Sequence, residues 1–396
     1  MKHFLALVLA SAVLAAPSFA QRDIGVVSVV VDSRTLPVRV SGNTPEVNAL
    51  ALQAFGSHGR YHVVASGYAY DIRFSLVSPT QVRVDVTRGL GGGSVASETV
   101  EGTGWRNALL RAADVAVERT NGLGLRGYFA AKVAFIGERT GHKEVYVGDL
   151  FFGGVRQITN DRAIAMSPRW APDGMRLIYT SYYHSGFPDV FVMDLGTYER
   201  TIFASFRGTN SGAHFSPDGR QVAMVLSGEG TTEIYVSNAQ GHAVSRRTRY
   251  DSVKASPCWS PDGGRIVFAS GNPSPQLYIM SAAGGPMQRL TYGISSYCSE
   301  PDWSRGNPSR IAFTMQTGHN FQIAVYDFSK GQSQQVSHAP FDGMGPSWLP
   351  DGRHLIYTAS TAYASRLCIL DTETGKSTPI SPSSFGQVLE GSAWSR

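Results

Sequence analysis

The sequence predicts a small α/β domain followed by a six-bladed β-propeller that is closed by the C-terminal strand. Three observations predict it. An aromatic anchor recurs at Trp170, Phe215, Trp259, Trp303, Trp348 and Trp394, with gaps of 45, 44, 44, 45 and 46 residues. A large strand residue keeps step with it at Phe135, Tyr179, Met224, Phe268, Phe313 and Tyr357. The stretch before Leu125 lacks this repeat and mixes helical with strand patterning. A period of about 40 to 50 residues with four short strands per unit is the pattern of a propeller blade.

The chain starts as an exported one. Lys2 precedes an apolar run from Phe4 to Ala16, and Pro17 and the small-x-small site Ser18-Phe19-Ala20 precede Gln21. That is the layout of a cleaved secretory signal, and the apolar run is shorter than the roughly 20 residues that span a bilayer. The expected division is 1–20 signal peptide, 21–127 α/β domain with a short N-terminal extension, and 128–396 propeller. No later stretch is apolar enough to span a membrane.

Composition fits many short strands and turns, with 43 Gly and 20 Pro in 396 residues. The formal charge of +5 is mild and is not gathered into a basic block, which argues against nucleic-acid binding in an exported chain. Cys258, Cys298 and Cys368 are too few for a disulfide framework. Cys258 and Cys298 precede neighbouring anchors, so they are either a pair or small apolar core residues, with burial preferred.

Within the first domain, Thr44 caps a helix with Pro45 in its first turn, and Val47, Leu50, Ala51, Ala54 and Phe55 share one face up to Gly56. In "YDIRFSLVSPTQVRVDV", Ile72, Phe74 and Leu76 alternate with polar residues, and Val82, Val84 and Val86 do so again after a turn, which reads as a hairpin. "GSVASE" behind Gly91, Gly92 and Gly93 lacks the Gly-Lys-Ser/Thr of a phosphate loop and reads as a strand-end loop. A second helix starts near Thr103, turns Trp105, Leu109, Ala112, Ala113 and Ala116 inward, and ends by Asn121-Gly122.

In the propeller, "RWAPDGMRLIYTS", "HFSPDGRQVAMVLS", "CWSPDGGRIVFAS" and "SWLPDGRHLIYTAS" carry Asp173, Asp218, Asp262 and Asp351 at one repeat position. Pro fixes φ, Asp accepts backbone N–H groups and Gly takes positive φ, so these carboxylates read as turn scaffold. The Trp303 unit reads "WSRGNPSRIAF" and has lost the Pro-Asp-Gly turn. The first blade starts at Lys132 without an anchor of its own, so "EGSAWSR" is expected to supply its inner strand and close the ring.

Function is sought where the blades differ, in the segments that cross from one blade to the next and emerge at one mouth of the channel. They carry Arg162, Asn210, His214, Arg249, Tyr250, Tyr292, Tyr297, Phe341 and Met344. Tyr, Arg, Phe and Met are enriched at protein interfaces, so this is the expected docking face.

With these features in place the sequence resembles the TolB family, the periplasmic component of the Tol-Pal cell-envelope system. The resemblance rests on the order of signal, α/β domain and six blades, on the junction "GLRGYFAAKVAFIGERTGHKEVYVGDL", on "SPRWAPDG" and its repeats, and on the mature start "QRDIGVVSVVVDSRTLPVRV". It implies a monomeric, non-enzymatic adaptor without cofactor. In that family one propeller mouth docks a Pal-type peptidoglycan-associated lipoprotein, and an N-terminal extension engages a TolA-type inner-membrane protein. Carried over, the extension is Arg22, Asp23, Ile24, Gly25, Val26 and Val27. The implied roles are envelope integrity, cell division and import of macromolecules.

Other classes find less in the residues. A serine-peptidase reading needs a Gly-x-Ser-x-Gly elbow, and none occurs. His142, His184 and His319 follow the second strands of different blades without local ligand spacing, so they read as loop histidines rather than metal ligands. A third reading places a peptidoglycan fragment or another glycan against Tyr182, Tyr183 and Tyr292 at the channel mouth.

Overall fold

A computed structural model describes residues 24–25, 35–89 and 91–394. The signal segment lies outside the described residues, as do Arg22, Asp23, Val26 and Val27 of the extension.

The first domain holds strand β1 (Leu36–Gly42), helix α1 (Pro45–Ser57), strands β2 (Tyr61–Val63), β3 (Tyr70–Ser78), β4 (Gln81–Arg88) and β5 (Ser94–Glu101), and helix α2 (Trp105–Thr120). The five strands form one sheet in the order β2-β1-β3-β4-β5. β1 runs parallel to both neighbours, and β3 to β5 are antiparallel. Thr44 Oγ1 accepts the Val47 N–H at 3.3 Å and so caps α1, and the predicted apolar stripe of that helix is buried. The hairpin forms in the predicted register, with Ile72, Phe74, Val82, Val84 and Val86 inward. "GSVASE" differs from expectation: Ser94 onward is a paired strand at the edge of the sheet. Its alternation was hidden because most of its residues are small or polar.

Six four-stranded antiparallel sheets follow. The inner strands are Ala165–Trp170, Asn210–Phe215, Lys254–Trp259, Cys298–Trp303, Asp342–Trp348 and Val388–Trp394, the inner strands of blades 2 to 6 and then blade 1. The last of these pairs with Lys132–Gly137, so the C-terminus closes the ring and removes its free edge.

Two devices repeat around the ring. Each inner strand bulges at one residue of positive φ: Ser167, Gly212, Ser256, Glu300, Gly345 and Glu390. Two of these are carboxylates that tie blades together. Glu300 Oε2 accepts the Gly345 N–H of blade 6 at 3.0 Å, and Glu390 accepts the Ser167 N–H of blade 2. The anchors do the same from the other end of the strand. The indole N–H groups of Trp170, Trp259 and Trp348 reach the preceding blades at Ser392 O, His214 O and Asp302 O, at 2.9 to 3.0 Å.

The Pro-Asp-Gly aspartates are turn-makers, as predicted. Asp262 Oδ1 accepts from Ser260 Oγ at 2.5 Å and the Gly264 N–H at 2.9 Å, and Asp173, Asp218 and Asp351 hold the equivalent residues. The following Gly174, Gly219, Gly263 and Gly352 all take φ between 65 and 72°, where a side chain is strained.

The α/β domain sits on the end of the propeller that carries these turns, against blades 1 and 6. One apolar cluster runs from its sheet through Tyr128 and Phe129 to Leu349, Ile356, Leu367 and Phe385. Asp114 on α2 anchors the connection by accepting the Phe129 and Ala130 N–H groups at 2.6 and 3.1 Å. Among the described residues no helix is long and apolar enough to cross a membrane.

Candidate docking face and channel

Because every blade is antiparallel, the crossing segments and the turns between second and third strands emerge together, at the mouth opposite the α/β domain. A repeated clasp sets the crossing segments. Thr159, Thr248, Thr291, Ser337 and Ser381 each accept the N–H of the residue 14 positions earlier, at 2.8 to 3.0 Å. Four of these hydroxyls also donate to the side chain just before that residue, Glu144, Glu233, Gln276 or Gln322. The exposed residues of the crossing segments do not reveal this clasp, yet the recurring Thr or Ser in "QITND", "RRTRY", "RLTYG", "QVSHA" and "TPISP" is its signal.

In blade 3 the clasp deepens into a buried ion network. Lys254 Nζ lies 3.2 Å from Glu233 Oε2, both side chains being closed to solvent. The same ammonium donates to the Tyr250 carbonyl and, at 2.5 Å, to Ser252 O, while Glu233 Oε1 accepts the Tyr250 N–H at 3.1 Å. Burial opposes ionisation of Glu233, but hydrogen bonds from Thr248, Arg246 and Lys254 outweigh it and hold the carboxyl below its ordinary range. Tyr250 is thereby presented to solvent on a fixed backbone.

The face so built is aromatic. Phe187 and Tyr292 are each 68% exposed and Tyr363 64%, and Tyr183, Phe206 and Tyr250 are open beside them. Arg162 and Arg249 are exposed on the same loops, and Arg162 is fixed at φ 55° by donating its N–H to Glu144 Oε1 at 2.8 Å. Tyr297 is half-buried edge-on to Phe321, and Phe341 and Met344 are half-buried as well. Phe187 and Tyr363 were missed because they lie in the turns between second and third strands, and Phe206 because it opens its crossing segment directly after the outer strand.

Two predicted residues lie elsewhere. Asn210 is wholly buried: its side chain accepts the Phe206 N–H at 2.9 Å and donates to Pro188 O and Phe206 O, so it staples the loop instead of facing a partner. His214 stands next to Phe215 at the far end of its strand and lines the channel cavity toward the α/β domain, with Arg169, Cys258 and Asp302. Burial pushes its imidazole down to about 3.

The extension contributes Ile24, which is fully buried between blades 5 and 6 among Ile323, Val325, Trp348 and Tyr357. Its carbonyl accepts from Arg366 Nη1 at 3.1 Å, and Phe341 packs against the same cluster. Gly25 beside it is exposed.

The three cysteines are free and buried. His58, Asp351 and His354 form a cluster of ligand-type side chains where the two domains meet. Both nitrogens of His354 are engaged, Nδ1 with Asp351 Oδ2 at 2.5 Å and Nε2 as acceptor of the Gly59 N–H at 3.0 Å. An Nε2 that accepts a backbone proton leaves Nδ1 to carry the ring's own, so this histidine serves the domain contact and offers no lone pair to a cation. Burial, with the Arg353 and Lys376 charges nearby, lowers His58 well away from the charged form.

An α/β domain seated on one end of a six-bladed ring, with an aromatic face at the other, defines a two-domain propeller whose variable surface is its open mouth. The chain belongs to the TolB β-propeller family: the description "TolB beta propeller domain" matches residues 121–396. It is 33% identical over 166 residues to a "Protein TolB homolog" of Chlorobium luteolum, covering 41% of this chain and 37% of that one. It is 32% identical over 164 residues to "Tol-Pal system protein TolB" of Bordetella pertussis, covering 41% and 37%. The aligned stretch thus spans little more than a third of the length of these relatives. The solved structure of TolB from Acinetobacter baumannii superposes with a TM-score of 0.79 at 21% identity, over 93% of this chain and 98% of that chain, and shares the fold.

Proposed function

We propose that this protein is a non-enzymatic periplasmic adaptor of a Tol-Pal type system, which docks a Pal-type lipoprotein on the aromatic mouth and offers its N-terminal extension to a TolA-type partner. The observation that carries the proposal is the seat of Ile24, which shares one apolar cluster with Phe341 of the docking face. An extension held there is withheld from a second partner, and a ligand that moves Phe341 changes how well it is held. The two sites are then coupled as a population shift between a seated and a released extension. The signal pattern in the sequence supports a periplasmic location, and the family's role in envelope integrity, division and import is proposed for it. The aromatic face also supports the family reading over the glycan reading, because its rings are spread over several blades rather than lining one groove.

Calorimetric titration of the mature chain with the Pal-type ectodomain of the same cell tests this. Saturable binding is expected, weakened by about tenfold or more in Tyr292→Ala/Phe341→Ala. A chain lacking residues 22–27 is expected to show altered affinity, since docking no longer competes with seating of the extension. No binding at high protein concentration, with saturable binding of a peptidoglycan fragment instead, would replace the adaptor reading by the glycan one.

A further inference from the structure

The channel end that faces the α/β domain holds a cavity of about 270 Å³. Its walls are the anchor rings and the residues just before them, and Arg126, Arg169 and Arg305 all line it. These three arginines come from unrelated places: the connection between the domains, the inner strand of blade 2, and the turn of blade 5. The last is the turn that lacks Pro-Asp-Gly. Where blades 2, 3, 4 and 6 carry Pro172, Pro217, Pro261 and Pro350, blade 5 carries Arg305. Its anchor changes with it, since Trp303 donates its indole N–H to Pro308 of its own turn at 2.8 Å rather than to the preceding blade.

Several arginines elsewhere in the protein are ion-paired, as at Arg39, Arg106, Arg200, Arg246 and Arg353, and others such as Arg162 and Arg249 stand exposed to solvent. Among the described residues the guanidinium groups of Arg126, Arg169 and Arg305 make no hydrogen bond and no close ion pair, although Arg169 and Arg305 lie within electrostatic reach of Asp302, and Arg169 of the buried Glu390. Asp302 is the one carboxyl group of the lining: burial raises it, Arg169, the Trp348 N–H it accepts at 2.7 Å and Arg305 oppose that rise, and it counts formally as one negative charge. His214 is neutral at its depressed value of about 3, and burial pushes the Cys258 thiol up to about 12, so it too is neutral. The lining therefore carries three formal positive charges against one negative.

We infer that this cavity is a binding site for a compact organic dianion, a dicarboxylate or a phosphate monoester, clamped by Arg126, Arg169 and Arg305. A guanidinium presents paired N–H donors that match the two oxygens of either acid group. The net excess of two positive charges fits two acid charges. The volume lies at the small end of ligand pockets and suits a body of a few carbon atoms against the indole edges. Asn121 holds the connection that carries Arg126, its side chain bonding Val117 O, Leu125 O and the N–H groups of Leu123 and Leu125 at 2.7 to 3.0 Å. The site is at the opposite end of the channel from the docking face and stands independently of the adaptor reading.

The full mature chain is titrated calorimetrically with succinate, glycerol 3-phosphate, inorganic phosphate and neutral succinamide at low salt. One saturable site is expected for succinate or glycerol 3-phosphate, and the one that binds identifies the acid group. Arg169→Gln and Arg305→Gln are each expected to weaken it about tenfold, and Arg126→Gln, whose own side chain is exposed, to weaken it as well. Arg220→Gln, on the exposed turn of blade 3, is expected to leave it unchanged. The ligand should also raise the thermal midpoint of the wild type but not of the Arg169→Gln/Arg305→Gln pair. Absence of saturable binding by either organic dianion up to about 10 mM, binding of inorganic phosphate or succinamide alone, or equal binding by the Arg126→Gln variant would overturn the assignment.

Discussion

At the scale of single residues, the acidic side chains sort by what they bond rather than by type. Asp262 and its repeats accept N–H groups inside their own turns, and bonds from Ser260 and the Gly264 N–H hold Asp262 below the ordinary carboxylate range. Asp114 is the opposite case. Burial raises its carboxyl to about 7 in spite of the two backbone N–H groups it accepts. The unfolded chain releases that proton near the ordinary value of 3.8, whereas the folded chain keeps it to about 7. Stability from this group is therefore complete below the lower value, declines as pH rises between them, and is gone above the upper one. Urea unfolding at pH 5 and pH 7.5 is expected to show the wild type losing stability by about 1 kcal/mol per pH unit relative to Asp114→Asn across that window. Parallel pH profiles for the two proteins would show that Asp114 is not the group responsible.

At the scale of elements, each blade is specified by a pattern that the sequence displays openly, and the loops are fixed by one that it hides. The short apolar runs in "RLIYTS" and "RIVFAS" are buried on both faces between neighbouring blades, and with the anchor before each turn they recur at a fixed spacing, so the blades and the closing strand were legible. The strand at Ser94–Glu101 was not, because its small polar residues are held by neighbours rather than by their own burial. Asn210 and His214 were misplaced for a related reason: polarity marks a loop residue in sequence, but here one is satisfied by backbone groups and the other by a channel wall. The Glu233–Lys254 pair shows what such hidden satisfaction is worth. Replacing Lys254 by Met removes the cation and three of its contacts while leaving Glu233 buried, which is expected to destabilise the protein by about 3 kcal/mol. The loop bearing Tyr250 should loosen with it, so amide exchange is expected to rise at residues 249–253 before any change elsewhere in blade 3. Unchanged exchange there would mean that the crossing segment is held by its clasp alone.

At the scale of the whole molecule, the decisive question is whether the α/β domain and the propeller behave as one body, since the docking mouth and the anionic-ligand cavity lie on opposite ends of the ring. The contact is both apolar and polar. Lys376 Nζ donates to the Gly56 carbonyl at 2.6 Å, the Gly59 N–H meets His354, and Arg353 clamps Asp371 through two bonds of 2.9 and 2.6 Å. Burial opposes ionisation of Asp371, yet the doubly bonded Arg353 guanidinium keeps its carboxyl below the ordinary range. Gly59 lies so close that a methyl group added there would stand 1.7 Å from Asp371 Oδ2. A free carboxylate would swing aside, but this one is fixed by its arginine, so the domains themselves must give way. Gly59→Ala is expected to cost about 2 kcal/mol in the domain contact. Neither core is touched by the change, so calorimetric unfolding should separate into two transitions where the wild type shows one, with the propeller transition keeping its midpoint. A single transition that simply moves to lower temperature would mean that the two domains remain coupled through the Tyr128 and Phe129 cluster even when the polar clasp is broken.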